Sequence, residues 1–230
     1  MQIVSDRQFF PCRPPRPLAD DEIHLWFFAA SDLAGNTKAA PALQLRELLS
    51  AYLRVEPAAL RFERTPHGKP FLLPPHDLRL QFNLAHSADA LVVALSRAQT
   101  LGVDIEATRR ARPWLELAQR FFTAAEYAML AALPQARLPL AFVELWSCKE
   151  AVLKALGRGI AFGLERLEFA LDANGTVTNL RTIATEAGDA ADWQLLRLAP
   201  TPDLCGALAW RGPPMRLCSF RVEPGNPDES

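Results

Sequence analysis

Lysine is scarce in this chain: of 25 basic residues only Lys38, Lys69, Lys149 and Lys154 are lysines, and three of these four sit beside the motifs described below. A surplus of charge is also missing, since 25 basic and 26 acidic side chains leave a net charge of −1. No strong global field therefore draws the protein onto nucleic acid or an anionic membrane, and neither is expected as a partner. Long apolar runs are absent too. The longest, such as Ile23–Ala30, fall far short of the roughly 20 residues that cross a bilayer. Cysteine is limited to Cys12, Cys148, Cys205 and Cys218, with no C-x-x-C spacing, which excludes a zinc knuckle or a disulfide framework. The opening Met-Gln-Ile-Val-Ser-Asp-Arg has no charged-then-apolar signal pattern, so a cytoplasmic protein with reduced thiols is expected.

What remains is ordinary globular material. The chain has 230 residues, half of them hydrophobic and 22% charged, enough for one large domain or two small ones fused. Phe10–Pro17 is too proline-rich for a helix or a central strand and reads as an extended lead-in. Ile23–Ala29 has the length of a buried strand, and Leu43–Leu53 the i, i+3, i+4 spacing of an amphipathic helix. Strands are expected at Arg61–Arg64, Leu78–Leu84, Ala90–Ser96 and Leu101–Glu106. Helices follow at Pro113–Phe122, Ala124–Leu133 and Leu138–Leu156, the second opened by a Thr123/Glu126 capping box and the third stopped by Gly157-Arg-Gly159. Five more strands are expected, at Leu164–Leu171, Thr176–Thr182, Trp193–Leu198, Cys205–Trp210 and Arg216–Val222, with a turn at Asp172–Gly175. The class is α+β: two halves, each with a helix followed by antiparallel strands, joined near residue 100.

Four stretches could carry chemistry. In Gly102-Val-Asp-Ile-Glu106, Asp104 and Glu106 share one face of a strand with Cα atoms roughly 6–7 Å apart. Two charges at that distance repel by about 3 kcal/mol at an effective dielectric near 20. Either a divalent cation offsets this, Mg²⁺ being favoured by hard oxygen ligands, or the strand is a wet edge neutralised by Arg109, Arg110 and Arg112. In Trp146–Lys154, Leu145, Cys148, Val152 and Leu156 form the buried stripe, and Glu150 and Lys154 face the other way. They are either an exposed i, i+4 pair or a third carboxylate and a phosphate-binding cation. Phe82-Asn-Leu-Ala-His-Ser87 puts His86 where a strand ends, and His67-Gly-Lys-Pro70 leaves Lys69 on a tight turn.

Taken together, G-K-P, F-N-x-x-H-S, G-V-D-I-E, F-F-T-x-x-E and W-x-x-K-E-A-x-x-K, in this order and spacing, resemble the 4′-phosphopantetheinyl transferases. The resemblance runs from about Glu22 to Glu168 and is nearest to the large monomeric type that primes peptide and polyketide synthase carrier domains. It implies a pseudo-two-fold arrangement of two similar halves, each a small antiparallel sheet packed with helices, with coenzyme A in the cleft between them. Residues 1–100 would form the coenzyme A side, 101–222 the metal and carrier-protein side, and 223–230 a flexible tail. The implied cofactor is Mg²⁺, or Mn²⁺, held by Asp104, Glu106 and Glu150. Lys154 matches the phosphate-binding lysine, and Lys69, His86 and Lys149 are taken as coenzyme-contacting positions. Glu150 and Glu126 both match acidic positions that could accept the proton of a carrier serine, and the sequence does not choose between them. Acidic carriers are expected to dock where Arg109, Arg110, Arg112 and Arg120 lie beside Phe121 and Phe122. The resemblance implies a monomer.

Two departures stand out. Ala85 replaces the serine usual before the histidine. Residues 31–40 offer only Lys38 where relatives often carry several cations for the 3′-phosphate, with Arg46 a weak substitute and Arg61 and Arg64 further candidates. The rival readings are an Mg²⁺-dependent phosphodiesterase or nuclease on the same carboxylates, and a non-catalytic coenzyme A-binding module. The missing basic stripe weighs against the nuclease.

Overall fold

The computed structural model describes residues 1–5, 8–11, 16–29, 40–76, 80–87, 90–109 and 112–221. The expectations for residues 31–39, Lys38 among them, for Cys12, for Arg110 and for the tail at 223–230 lie outside these residues. Along the chain run β1 (Gln2–Ser5), β2 (Phe10–Pro11), β3 (Glu22–Phe28), α1 (Ala40–Leu53), β4 (Phe62–Arg64), β5 (Pro70–Leu72), β6 (Gln81–Ser87), β7 (Ala90–Ser96) and β8 (Leu101–Ala107). There follow α2 (Trp114–Phe121), α3 (Ala124–Ala131), α4 (Leu138–Leu156), β9 (Leu167–Leu171), β10 (Val177–Ile183), β11 (Trp193–Thr201), β12 (Leu204–Arg211) and β13 (Arg216–Arg221). Among the described residues no helix is long and apolar enough to cross a membrane.

Two sheets carry the molecule, one of five strands in the order β2-β13-β3-β7-β6 and one of four in the order β1-β11-β12-β8. Alternation along the strands explains how they pack. Ile23, Leu25, Phe27, Val92 and Ala94 of the first sheet meet Val103, Ile105, Leu208 and Trp210 of the second in one core. The other face of the first sheet, with Trp26, Phe28, Leu91, Val93 and Leu95, packs on Leu45, Leu48, Leu49 and Leu53 of α1. The other face of the second, with Ala207 and Ala209, packs on Phe142, Leu145, Cys148 and Val152 of α4. The order is helix, sheet, sheet, helix. Strands buried on both faces have no polar side to show, which is why β7 reads as an almost unbroken apolar run and β3 as one interrupted only by Glu22 and His24, both buried.

The sheets are mixed rather than purely antiparallel. β1 runs parallel to β11, and β13 runs parallel to β3 and β2. Each chain end thus joins the sheet built mainly by the other half. Partners nearly two hundred residues apart leave no trace in a local pattern, so the sequence reading gave neither the strand at residues 2–5 nor the parallel pairing of β13. Other boundaries moved as well: α1 starts at Ala40 rather than Leu43, and β11 runs on to Thr201. The strand expected at Leu78–Leu84 runs Gln81–Ser87, which puts His86 inside it, and residues 164–166 form a 3₁₀ turn before β9.

Where the sheets meet edge to edge, β6 lies along β8. Asn83 Oδ1 accepts a hydrogen bond from the Val103 amide at 2.8 Å, and Ser87 Oγ one from the Ala107 amide at 3.0 Å. Both side chains belong to the F-N-x-x-H-S stretch and tie β8 of the second sheet to the first.

Candidate active site

Because Val103 and Ile105 fill the core between the sheets, Gly102, Asp104 and Glu106 point toward α4. Gly102 is where the two elements touch. A Cβ there would stand 1.9 Å from the Ala151 carbonyl oxygen and 2.3 Å from the Ala155 amide nitrogen, so no other residue lets α4 lie this close. That approach brings Glu150 and Lys154 of α4 against Asp104. Lys154 Nζ reaches Asp104 Oδ1 at 2.7 Å and the Val103 carbonyl at 3.1 Å. Of the two alternatives for Glu150, the exposed i, i+4 pair does not hold: the residue is buried, because packing on β8 and β12 encloses nearly the whole girth of α4. Asp104 is likewise buried, so the wet-edge alternative for β8 does not hold.

Two carboxylate oxygens at this corner, Asp104 Oδ2 and Glu150 Oε1, are buried without a hydrogen-bond partner. Burial, and then the negative charge of Asp104 and, more weakly, of Glu106, pushes the Glu150 carboxyl up to about 7, against the opposing pull of Lys154. Unsatisfied acceptors crowded by like charge are what a hard divalent cation relieves, so the residues fit one. Glu106 stands at the outer end, with Oε2 3.0 Å from Arg112, whose guanidinium also lies over Trp114. Among the described residues, the group of metal-capable side chains with ligand atoms all within 4.8 Å of one another is a different one, Glu22, His24 and Cys218. There Arg16 and Arg216 already neutralise Glu22 at 2.6 and 2.8 Å, and Arg16 also bonds Cys218, so that cluster is a satisfied network.

The corner opens into a cleft of about 1050 Å³. One wall comes from the first half, with Arg46, Arg64, His67, Gly68, Lys69, Asn83 and His86, and the other from the second, with Glu150, Lys154, Gly157, Gly159 and Ile160. His86 is exposed in the cleft, and the neighbouring Ala85 offers no hydroxyl. Arg46 reaches the lining but is engaged at home, donating to the Pro57 and Leu60 carbonyls at 2.7 and 2.6 Å and covering the Phe62 ring. Arg64 lines the cleft and is exposed, donating to the Gly68 carbonyl. Arg61 is not among the lining residues.

Four expected site residues are not among those lining the cleft: Asp104 stands behind Lys154 and Glu106 beside Arg112, while Glu126 and Lys149 lie deeper. Glu126 and Lys149 are both fully buried and pair with each other at 2.7 Å. Lys149 also donates to the Leu164 and Leu167 carbonyls, and Glu126 accepts from the Thr123 and Phe169 amides. Glu126 thus closes the capping box of α3 and at the same time locks α3 and α4 to β9. Every polar atom of the pair is used, so the structure places both side chains in a buried structural pair and not at the cleft. The aromatic part of the same motifs is also structural: Trp146 packs among Phe121, Phe122 and Phe142, with ring centroids 5.8 to 6.2 Å away. Asn83, a tie between the sheets, is a functional position that its F-N-x-x-H-S motif contains but does not by itself reveal.

Comparison with known proteins gives one consistent relationship. Residues 100–205 match the model of the 4′-phosphopantetheinyl transferase superfamily. The 4′-phosphopantetheinyl transferase HetI of Nostoc is 32% identical over 89% of this chain and 94% of its own length. The 4′-phosphopantetheinyl transferase Sfp of Bacillus subtilis is 31% identical over 58% of each chain, and psf-1 of Bacillus pumilus 39% identical over 51% of this chain and 48% of its own. The matched span holds β8, α4 and the carboxylate corner between them.

Proposed function

The chain belongs to the 4′-phosphopantetheinyl transferase superfamily, and from that membership we propose an enzyme that moves the phosphopantetheine arm of coenzyme A onto a serine of an apo carrier protein. The observation that supports this most is the buried corner where Glu150 and Lys154 line a coenzyme-sized cleft and Lys154 is bonded to Asp104 behind it.

Attack of a serine oxygen on the β-phosphorus of the pyrophosphate forms one P–O bond and breaks another, releasing adenosine 3′,5′-bisphosphate. Asp104, Glu106 and Glu150 would hold Mg²⁺ or Mn²⁺. Bound there, such an ion neutralises pyrophosphate charge that builds on the leaving group. Lys154 is the cation beside it: its ammonium, now on Asp104, is the nearest donor for a phosphate oxygen. His86 and Arg64 line the open part of the cleft and suit the remaining phosphates. Of the two glutamates considered as proton acceptor, Glu150 faces the cleft and Glu126 is consumed by Lys149, so the serine proton goes to Glu150, directly or through a water. Phosphodiesterase chemistry would need water in place of the serine. Acyl and peptidyl carriers as the acceptors, a monomeric state and a cytoplasmic setting complete the reading.

The test is release of adenosine 3′,5′-bisphosphate from coenzyme A. It is expected with an apo carrier domain and to vanish when the carrier serine is alanine. Equal release without carrier would mean hydrolysis.

A further inference from the structure

Lys69 lies on a turn whose conformation is closely determined. Gly68 takes φ +86°, and its amide donates to the Thr65 carbonyl at 2.8 Å. The Thr65 amide meets the Lys69 carbonyl at 2.9 Å, and the Lys69 amide the Thr65 hydroxyl at 3.1 Å. From this base the side chain leaves its own half. Its Nζ donates to the Leu101 carbonyl at 2.9 Å and to the Lys154 carbonyl at 2.7 Å. Leu101 opens β8 and Lys154 lies in the last turn of α4, so one ammonium binds the two elements that carry the metal carboxylates. It also sits at a helix C-terminus, where a cation is favoured. Burial with no carboxylate opposite draws its pKa down to about 8.

We propose that Lys69 is a positioning residue that clamps the end of α4 to the start of β8 and thereby sets the spacing of Asp104 and Glu150, rather than a group that grips the coenzyme through its ammonium. The inference rests on the transferase reading of the same corner. Gly102 sets how close the two elements can come, and Lys69 holds them there from the opposite half of the molecule. Two of its three donors are used in doing so. The side chain of Lys154 is aimed by the same clamp, because its own carbonyl is one of the two bonds. Removing the ammonium leaves Gly102 against α4 but frees the last turn to rotate, and the metal carboxylates lose register.

The test compares Lys69→Met with the parent protein by two equilibrium measurements: Mn²⁺ binding by electron paramagnetic resonance and coenzyme A binding by calorimetry without metal. Thermal unfolding confirms that the variant is folded. Mn²⁺ affinity is expected to fall by about tenfold or more, the size typical of losing an orienting outer partner. Coenzyme A affinity should change less than that. A loss of coenzyme affinity equal to or larger than the loss of Mn²⁺ affinity, or no change in either, overturns the proposal. Should Lys69→Met not fold, Lys69→Arg is read in the same way, its guanidinium being too broad to meet both carbonyls as Nζ does. Neither measurement needs turnover, so an inactive parent protein would refute the transferase reading while leaving this one decided.

Discussion

At the scale of single residues, Glu150 has the most consequential environment. Its carboxyl, raised from the ordinary 4.5 to about 7, keeps a proton in the folded protein that the unfolded chain has already lost. Folding stability without metal therefore falls as pH rises from about 4.5 to about 7, and above that the ionised group costs about 3 kcal/mol. Replacing Glu150 with Gln should raise the melting temperature of the metal-free protein by several degrees at pH 8 and leave it nearly unchanged at pH 5. Equal shifts at both pH values would show that charge is not the cause. In the parent protein the proton must leave before a cation binds, so Mg²⁺ or Mn²⁺ should bind more tightly as pH rises from 6 to 8, and the Gln variant should lose that dependence.

The residue scale also shows where sequence reading works. Period-2 alternation was enough to put Asp104 and Glu106 on one face, with Val103 and Ile105 in the core. It could not say what covered that face. Whether Glu150 is a surface residue or a buried one depends on how much of α4 is enclosed, and β8 and β12 decide that from outside the helix.

Among elements, the link between α3, α4 and β9 depends on Lys149 and Glu126. Both match motif positions that suggest chemistry, because a motif records that a residue is needed and not what it touches. Breaking a buried pair from one side leaves an uncompensated charge, which costs about 3–5 kcal/mol. Lys149→Met should therefore lower the melting temperature strongly. Adding Glu126→Gln to it should recover part of the loss, since no buried charge then remains. A double variant less stable than Lys149→Met would mean that the two residues act separately. Glu126→Gln alone, assayed below its melting temperature, should keep most of its turnover per folded molecule. A near-complete loss would restore Glu126 as a candidate base.

Element boundaries were legible wherever a cap or glycine marked them. The capping box at Thr123 and the left-handed Gly157 at the end of α4 both stand where the sequence puts them. Strand pairing was not, because β1 and β13 take their neighbours from the far end of the chain.

For the molecule as a whole, the cleft poses the question of the coenzyme's 3′-phosphate. Arg46 is tied to backbone carbonyls, Lys69 to two more and Lys154 to Asp104, which leaves Arg64, His67 and His86 as the other basic lining residues among those described. One charged hydrogen bond to a phosphate contributes about 1.5–3 kcal/mol, or roughly 10–150-fold. The ratio of kcat/KM for coenzyme A over 3′-dephospho-coenzyme A should accordingly stay within that range. A preference beyond about a thousandfold would exceed one such contact and require a second grip. Away from the lining residues of the cleft, Arg109 is highly exposed and pairs with exposed Asp203 at 2.6 Å, Arg112 is held by Glu106, and Phe122 is core rather than docking surface. If an acidic carrier docks here, as the sequence leads one to expect, charge reversal of Arg109 and Arg120 should raise its KM and leave coenzyme A affinity unchanged.

The central claim is group transfer to a carrier serine at the corner of Asp104, Glu150 and Lys154, and the intact mass of an apo carrier domain tests it most directly. Incubated with the protein, Mg²⁺ and coenzyme A, the carrier should gain the mass of one phosphopantetheine. With Asp104→Ala or Glu150→Ala in place of the parent protein it should gain nothing, although both variants remain folded. No gain with the parent protein on any of several acyl and peptidyl carriers, or an undiminished gain with either variant, would contradict the account.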